Sequence, residues 1–168
     1  MSFESDIKNW VKKVKDNVET VVVETRFECS DRIINSTPYD TIVPEEGGTA
    51  KANWNASIGS ADESTTSARD KTGDKTKQKA HRIASGNISK DFYLTNSLAY
   101  IGVLEYGGYP DPPEKGTYLT SKQSKDGKTG PGYFKFSQGG YSAKAPNGMV
   151  RLVVADFDNI VLDIVRKL

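Results

Sequence analysis

From the first residues onward, apolar or small side chains return at Phe3, Ile7, Val11, Val14, Val18, Val22, Thr25, Cys29 and Ile33, at spacings of three and four. That rhythm is one face of an α-helix, and Trp10 and Val21 widen the stripe. Ser2 stands at the N-cap position, and Glu4 and Asp6 fall in the first turn, where acids suit the helix dipole. The β-branched run Val21-Val22-Val23 works against the helix locally, because such side chains lose rotamer freedom there. Pro38 ends it by forcing the preceding residue out of the α region. A helix reaching Asn35 is about 45–50 Å long at about 1.5 Å per residue. One small domain cannot bury so long a stripe, so its outer end is expected to pack on another subunit.

The rhythm changes after the Pro44 and Gly47-Gly48 loop. Ala50, Ala52, Trp54, Ala56 and Ile58 alternate with polar residues, which predicts a half-buried strand centred on Trp54. Residues 60–74 carry Ser, Thr and charge with no apolar period and read as a flexible polar loop, followed by a short helix around Lys75–Ala84. "NISKDFYLTN" predicts a second strand. Asn96 then caps a short helix, Ser97–Tyr106, which stops at Gly107 as its C′ residue, with Gly102 allowing close backbone approach. Glu105 stands at the end of this helix, where the dipole disfavours an acid. It is either a solvated side chain or the partner of a cation, Arg151 or a neighbour's lysine.

Residues 108–144 form an extended arm dense in Gly, Pro and Lys, with short strands at 117–120 and 133–136 able to pair as a hairpin. Tyr109, Tyr118, Tyr133, Phe134, Phe136 and Tyr141 are more aromatics than a solvated linker needs, so with Trp10 they are candidate contacts to another subunit or partner. Asn147 then caps a C-terminal amphipathic helix whose stripe is Val150, Val153, Val154, Phe157, Ile160, Val161, Ile164, Val165 and Leu168. The predicted class is α+β in a single domain, 1–168: a long N-terminal helix, a small antiparallel sheet, a short central helix, a C-terminal helix and long extended loops.

Composition narrows the function. Apolar residues make up 36% and charged residues 27% of the chain, polar enough to require long exposed segments. Lys and Arg number 23 against 22 Asp and Glu, so there is no general attraction to nucleic acid or anionic membrane. The basic run Lys71, Lys75, Lys77, Lys79 and Arg82, with His81 inside it, is either a solvated face or a phosphate contact. One cysteine and one histidine cannot make a disulfide, complete a zinc site or supply a triad. Lys128-Thr129 lacks the glycine that opens a phosphate loop, since position 122 is a lysine. "GPGYFKF" lacks the spacing of an RNA-reading strand. The N-terminus lacks a signal peptide's apolar core, and no window suits a membrane span, so a soluble protein made in a reducing cytoplasm is expected, with its Asn-X-Ser/Thr sites unmodified. No catalytic group, metal or cofactor is expected.

The ordered signals resemble a known family. "PYDT", "GGTAKANWNASIG", "FYLTNSLAYIGVLEYG" and "GYSAKAPNGMVRLVVADF" follow the long helix in that order. They are similar to the minor tail proteins of tailed bacteriophages, the tail-completion, neck or head–tail joining components. In this sequence the residues that carry the likeness are Asp40 and Thr41, Trp54, Thr95 and Asn96, Tyr100, Leu104, Glu105, Tyr106 and Gly107, and Ala145, Pro146, Gly148 and Met149. Two features depart from the pattern: "IVPEE" intervenes before Gly47-Gly48, and 108–140 looks like an insertion.

The resemblance implies a structural virion protein, assembled in the host cytoplasm and placed at the head–tail junction. There a ring of identical subunits, a hexamer, joins the tail tube to the head connector around the DNA exit channel. The long helix and the 108–144 arm become the inter-subunit elements, and the basic run faces a neighbour or the channel. Two alternatives stay open: a tail terminator ring that caps the tube, and a nucleic-acid-binding protein that uses the 71–82 run.

Overall fold

A computed structural model describes residues 3–39, 47–106, 145 and 147–168, and the backbone alone of 117–123 and 129–136. The fold is α+β. Helix α1 (Phe3–Ser36) is followed by a helical turn, α2 (Thr49–Ala52), strand β1 (Asn55–Ile58), helix α3 (Asp74–Ala84), strand β2 (Phe92–Thr95) and helix α4 (Ile101–Tyr106). A hairpin follows, β3 (Thr117–Gln123) and β4 (Thr129–Phe136), and two helices close the chain, α5 (Val150–Ala155) and α6 (Phe157–Val165).

Helix α1 has the extent its apolar period predicts and ends on its own polar residues. Thr37 donates both its amide (3.1 Å) and its hydroxyl (2.8 Å) to Ile33 O. The body is built on the inner end of this helix. Ile33 and Ile34 pack with Trp54, Ala56, Ala80, Val153, Ile160 and Ile164 in one cluster, flanked by Val21, Cys29, Phe92 and Leu94. Ile34 and Ile160 are almost fully buried, each contributing about 1.5–3 kcal/mol of transfer free energy. On α3 the buried positions are Thr76, Ala80 and Ala84, one residue per turn and all small.

The sheet is a two-stranded antiparallel pair, β1 with β2, in the register Asn55↔Thr95 to Ile58↔Phe92. Its strand β1 is shorter than the alternation suggests. Residues 49–52 wind into a turn, in which Ala52 N and Asn53 N donate to Gly48 O and Thr49 O, and the extended chain starts only at Asn55. Lys51, Asn53, Trp54, Asn55 and Ala56 are all buried, so burial here does not alternate. The turn depends on Gly48 at φ +97, because a Cβ there would stand 2.8 Å from Asp70 C and Lys71 N. In the arm, β3 and β4 pair antiparallel from Thr117↔Phe136 to Gln123↔Thr129, longer than the expected segments, with a register shift between Thr120 and Lys122.

Four further expectations change. Helix α4 begins at Ile101 rather than Ser97. Asn96 accepts from Leu98 N (3.3 Å) in a local turn while its Nδ2 donates to Ala50 O (2.8 Å), so it joins β2 to α2 instead of capping α4. At Gly102 an added Cβ would meet nothing within 4 Å among the described residues, so no close approach depends on it. The C-terminal helix is two helices broken at Asp156, where the backbone leaves helical geometry (φ −102, ψ 6). Asn147 is exposed and does not cap α5, which has no cap from its own N-cap residue.

Candidate functional site

Several residues singled out in the sequence, among them Glu105, Gly148 and Met149, meet at one junction. Glu105, at the end of α4, is 5% exposed and turns its carboxylate onto the start of α5. Its Oε2 accepts from Met149 N (2.6 Å) and Val150 N (3.2 Å); its Oε1 accepts from Arg151 N (3.0 Å) and Arg151 Nε (3.1 Å). Arg151 also donates through Nη2 to Glu105 O (2.8 Å) and lies 5.7 Å from the centre of the Tyr106 ring. The acid that looks misplaced at the end of its own helix is thus the cap of another helix, satisfying free first-turn amides and facing the positive end of the dipole. Burial pushes its pKa up, but the three amides and the guanidinium outweigh this and hold it below the usual range. Of the two readings of Glu105, the Arg151 partner is the one found.

Gly148 makes this junction possible. It sits at φ +76, and a Cβ there would stand 2.6 Å from Glu105 Oε1 and 2.7 Å from Arg151 Nη2. Ala145 is buried, its carbonyl closes a turn with Gly148 N (2.9 Å), and Met149 is fully buried beneath the cap. Leu104 is half-buried beside it, whereas Tyr100 and Tyr106 are exposed.

The other likeness residues hold the sheet. Trp54 is buried and donates from Nε1 to Thr37 Oγ1 (2.7 Å), tying the start of β1 to the end of α1. Thr95 donates its hydroxyl to Asp62 O, and Asn96 reaches α2 as described. Asp40, Thr41, Gly107 and Pro146, like Ser2, Tyr109 and Tyr141, lie outside the described residues, as do the side chains of Tyr118, Tyr133, Phe134 and Phe136.

Several polar residues that fix this body carry no motif. Arg26 is buried and donates to Ala84 O (3.1 Å) and Lys90 O (2.8 Å), with longer contacts to Gly86 O and Asn87 O (both 3.5 Å), and its guanidinium lies 5.5 Å from the Phe92 ring centre. It closes the C-terminal end of α3, where a cation suits the dipole. Asp70 does the same at the other end, accepting from Gly73 N (3.0 Å), Thr76 N (2.8 Å) and Thr76 Oγ1 (2.8 Å). Burial raises its pKa, and the bonds from Thr76 and Gly73 more than offset that, leaving it lowered.

The polar loop is exposed for most of its length but is bound to the sheet by side-chain amides. Asn53 exchanges bonds with Thr66 (Nδ2 to O 2.9 Å, N to Oδ1 2.7 Å), and Asn55 Nδ2 donates to Ser64 O (2.6 Å). One signal for Arg26 was available: it lies four residues after Val22 and three before Cys29, a charge on the apolar face of a helix. Asn53 and Asn55 gave none, because any alternating strand places polar residues there.

The basic run is partly engaged within the chain. Lys77 pairs with Asp74 (3.0 Å), Lys79 Nζ donates to Asn55 Oδ1 (3.3 Å), and Lys71 Nζ lies 6.0 Å from the Tyr39 ring centre. His81 sits on α3, 2.7 Å from Asp31 Oδ1 and stacked on Phe27 at 4.2 Å. A shallow cleft of about 310 Å³ opens beside α3, lined by Asn55, Ser64, Thr66, Arg69, Lys75 and Lys79 among others. Burial raises the Cys29 thiol pKa, and the hydrogen-bond partner of His81 is Asp31. Among the described residues, no group of three or more His, Cys, Asp or Glu could hold a metal ion, and no helix is long and apolar enough to cross a membrane.

What remains without a packing role is apolar and exposed. On the outer half of α1, Phe3 is 81% and Trp10 66% exposed, and Ile7, Val11, Val14 and Val18 are exposed with them. On α5 and α6, Leu152, Val154, Phe157, Leu162, Val165 and Leu168 are exposed, so only one side of the predicted stripe (Val153, Ile160, Ile164) is in the core. Exposed apolar surfaces of this kind commonly mark contacts with another protein. No protein-family model, curated protein or solved structure matches the chain.

Proposed function

We propose that this chain is a structural virion protein of a tailed phage, forming a ring of about six identical subunits at the head–tail junction. The ring joins the tail tube to the head connector and surrounds the DNA channel; the protein performs no catalysis and holds no cofactor. The observation that carries this reading is the outer half of α1, a continuous helix whose apolar stripe from Phe3 to Val18 is exposed in the single subunit. The family likeness makes that helix an inter-subunit element. The meeting of two likeness segments at Glu105 and Met149 supports the same reading, since residues far apart in sequence are used together.

The tail terminator reading keeps this fold and this self-association and differs only in the position of the ring. The nucleic-acid reading is weaker, because Lys77, Lys79 and His81 have partners inside the chain. Peptide mapping and antibody labelling of purified particles test the proposal: the protein is expected in the virion, with label at the junction of head and tail. Its absence from complete particles, or salt-sensitive binding of the pure protein to short duplex DNA without particle association, would overturn it.

A further inference from the structure

The two exposed apolar faces match in spacing and in charge. Along α1, Phe3, Ile7, Val11 and Val14 follow one another at steps of four, four and three; along α6 and the closing turn after it, Phe157, Val161, Val165 and Leu168 do the same. All are exposed except Val161, which is half-buried. Each row runs about 17 Å at about 1.5 Å per residue. Laid antiparallel, they set Phe3 against Leu168, Ile7 against Val165, Val11 against Val161 and Val14 against Phe157. The charges beside them are then opposite in sign across the contact: Glu4 meets Lys167, Lys8 meets Asp163, Lys13 meets Asp158 and Lys15 meets Asp156. The parallel arrangement sets Glu4 and Asp6 beside Asp158 instead.

We propose that the outer half of α1 docks antiparallel on the exposed face of α6 of a second copy of this chain, head to tail. The same chain cannot supply both faces to one contact. Helix α1 is continuous from Phe3 to Ser36, and its inner half already packs on its own α6, so the outer half points past its own body. Each copy therefore offers one arm and one receiving face, and repetition generates a ring when the rotation closes. The ion pairs now made by these residues, Lys8 with Glu4 and Arg166 with Asp163, are solvent-exposed neighbours on one helix and exchange at little cost. Asp156, held by Arg32 in the free subunit, can add Lys15 without releasing it. This deepens the ring reading above by naming the surfaces that meet.

The test is disulfide trapping in the full chain with Cys29→Ser, so that only introduced thiols react. Ile7→Cys and Val165→Cys, both at exposed positions, are expected to cross-link when the two single variants are mixed and to give a ladder of covalent oligomers when combined in one chain. Cross-linking of Ile7→Cys with itself, or a double variant that stops at a dimer, would overturn the head-to-tail contact.

Charge reversal gives a second readout. Lys8→Glu with Lys13→Glu, or Asp158→Lys with Asp163→Lys, should each weaken self-association about tenfold or more at low salt, and mixing the two variants should restore it. Unchanged association of either variant overturns the proposal. Particle labelling separates the two claims: oligomers that cross-link as stated but never join particles refute the phage setting alone, and particles that tolerate both reversals refute this interface alone.

Discussion

Replacing Glu105 by Gln changes one atom at the junction of α4 and α5, and its cost can be worked from the contacts. Each carboxylate oxygen accepts from two donors: Met149 N and Val150 N on one, Arg151 N and Nε on the other. A carboxamide keeps one such oxygen. Whichever way it turns, its NH2 faces two N–H donors, and two hydrogen bonds to a charged acceptor are lost. At about 1.5–3 kcal/mol per charge-assisted bond, with partial recovery through water, the variant should lose about 2–4 kcal/mol. The assay is urea unfolding followed by far-ultraviolet circular dichroism at neutral pH.

The pH dependence supplies an internal check. The folded pKa of Glu105 is lowered, so its stabilisation is complete above the unfolded value of about 4.3 and is lost as pH falls through the folded value. The gap between wild type and Glu105→Gln should be constant from about pH 6 to 8 and close below about pH 4. A variant within about 0.5 kcal/mol of wild type at pH 7 would refute the claim that this carboxylate caps α5. So would a gap that persists unchanged into acid.

Other perturbations follow from the same geometry. Gly148→Ala places a Cβ 2.6 Å from Glu105 Oε1 at positive φ and should cost about 2 kcal/mol or more in the same unfolding assay, less when combined with Glu105→Ala. Arg26→Met keeps the volume but leaves Ala84 O and Lys90 O without their donor, so a loss of about 3 kcal/mol is expected, with amide exchange accelerated at the end of α3. Removing residues 1–18 deletes exposed helix, so the unfolding midpoint of the body should shift little while self-association, read by light scattering, disappears.

The helices of this fold were legible because a helical stripe repeats over many residues. Helix α1 has the extent of its apolar period, and helix α3 lies where a short helix was expected. Where the sequence misled, a tertiary partner decided. Residues 50–58 alternate like a strand, yet Gly48 and the carbonyl of Ala50, taken by Asn96, hold the first half in a helical turn. Asn147 has the chemistry of a cap, but Glu105, distant in sequence, occupies the amides it would have used. The break at Asp156 carries no Pro or Gly to announce it; Arg32 on α1 pairs with that carboxylate, whose pKa is lowered by the hydrogen bonds from Asn159 and Arg32. Glu105 itself stood out as an acid in the wrong place, and Arg151 was one of the partners expected. Arg26, Asp70 and Asn53 are specified by what surrounds them, and no local pattern marks that.

The central claim is assembly at the junction of head and tail. Electron microscopy of the purified protein incubated with tail tubes of the proposed phage tests this most directly. The account predicts a ring of about six copies seated at the head-proximal end of the tube. A protein that stays monomeric at every concentration and never binds tube or particle would contradict it.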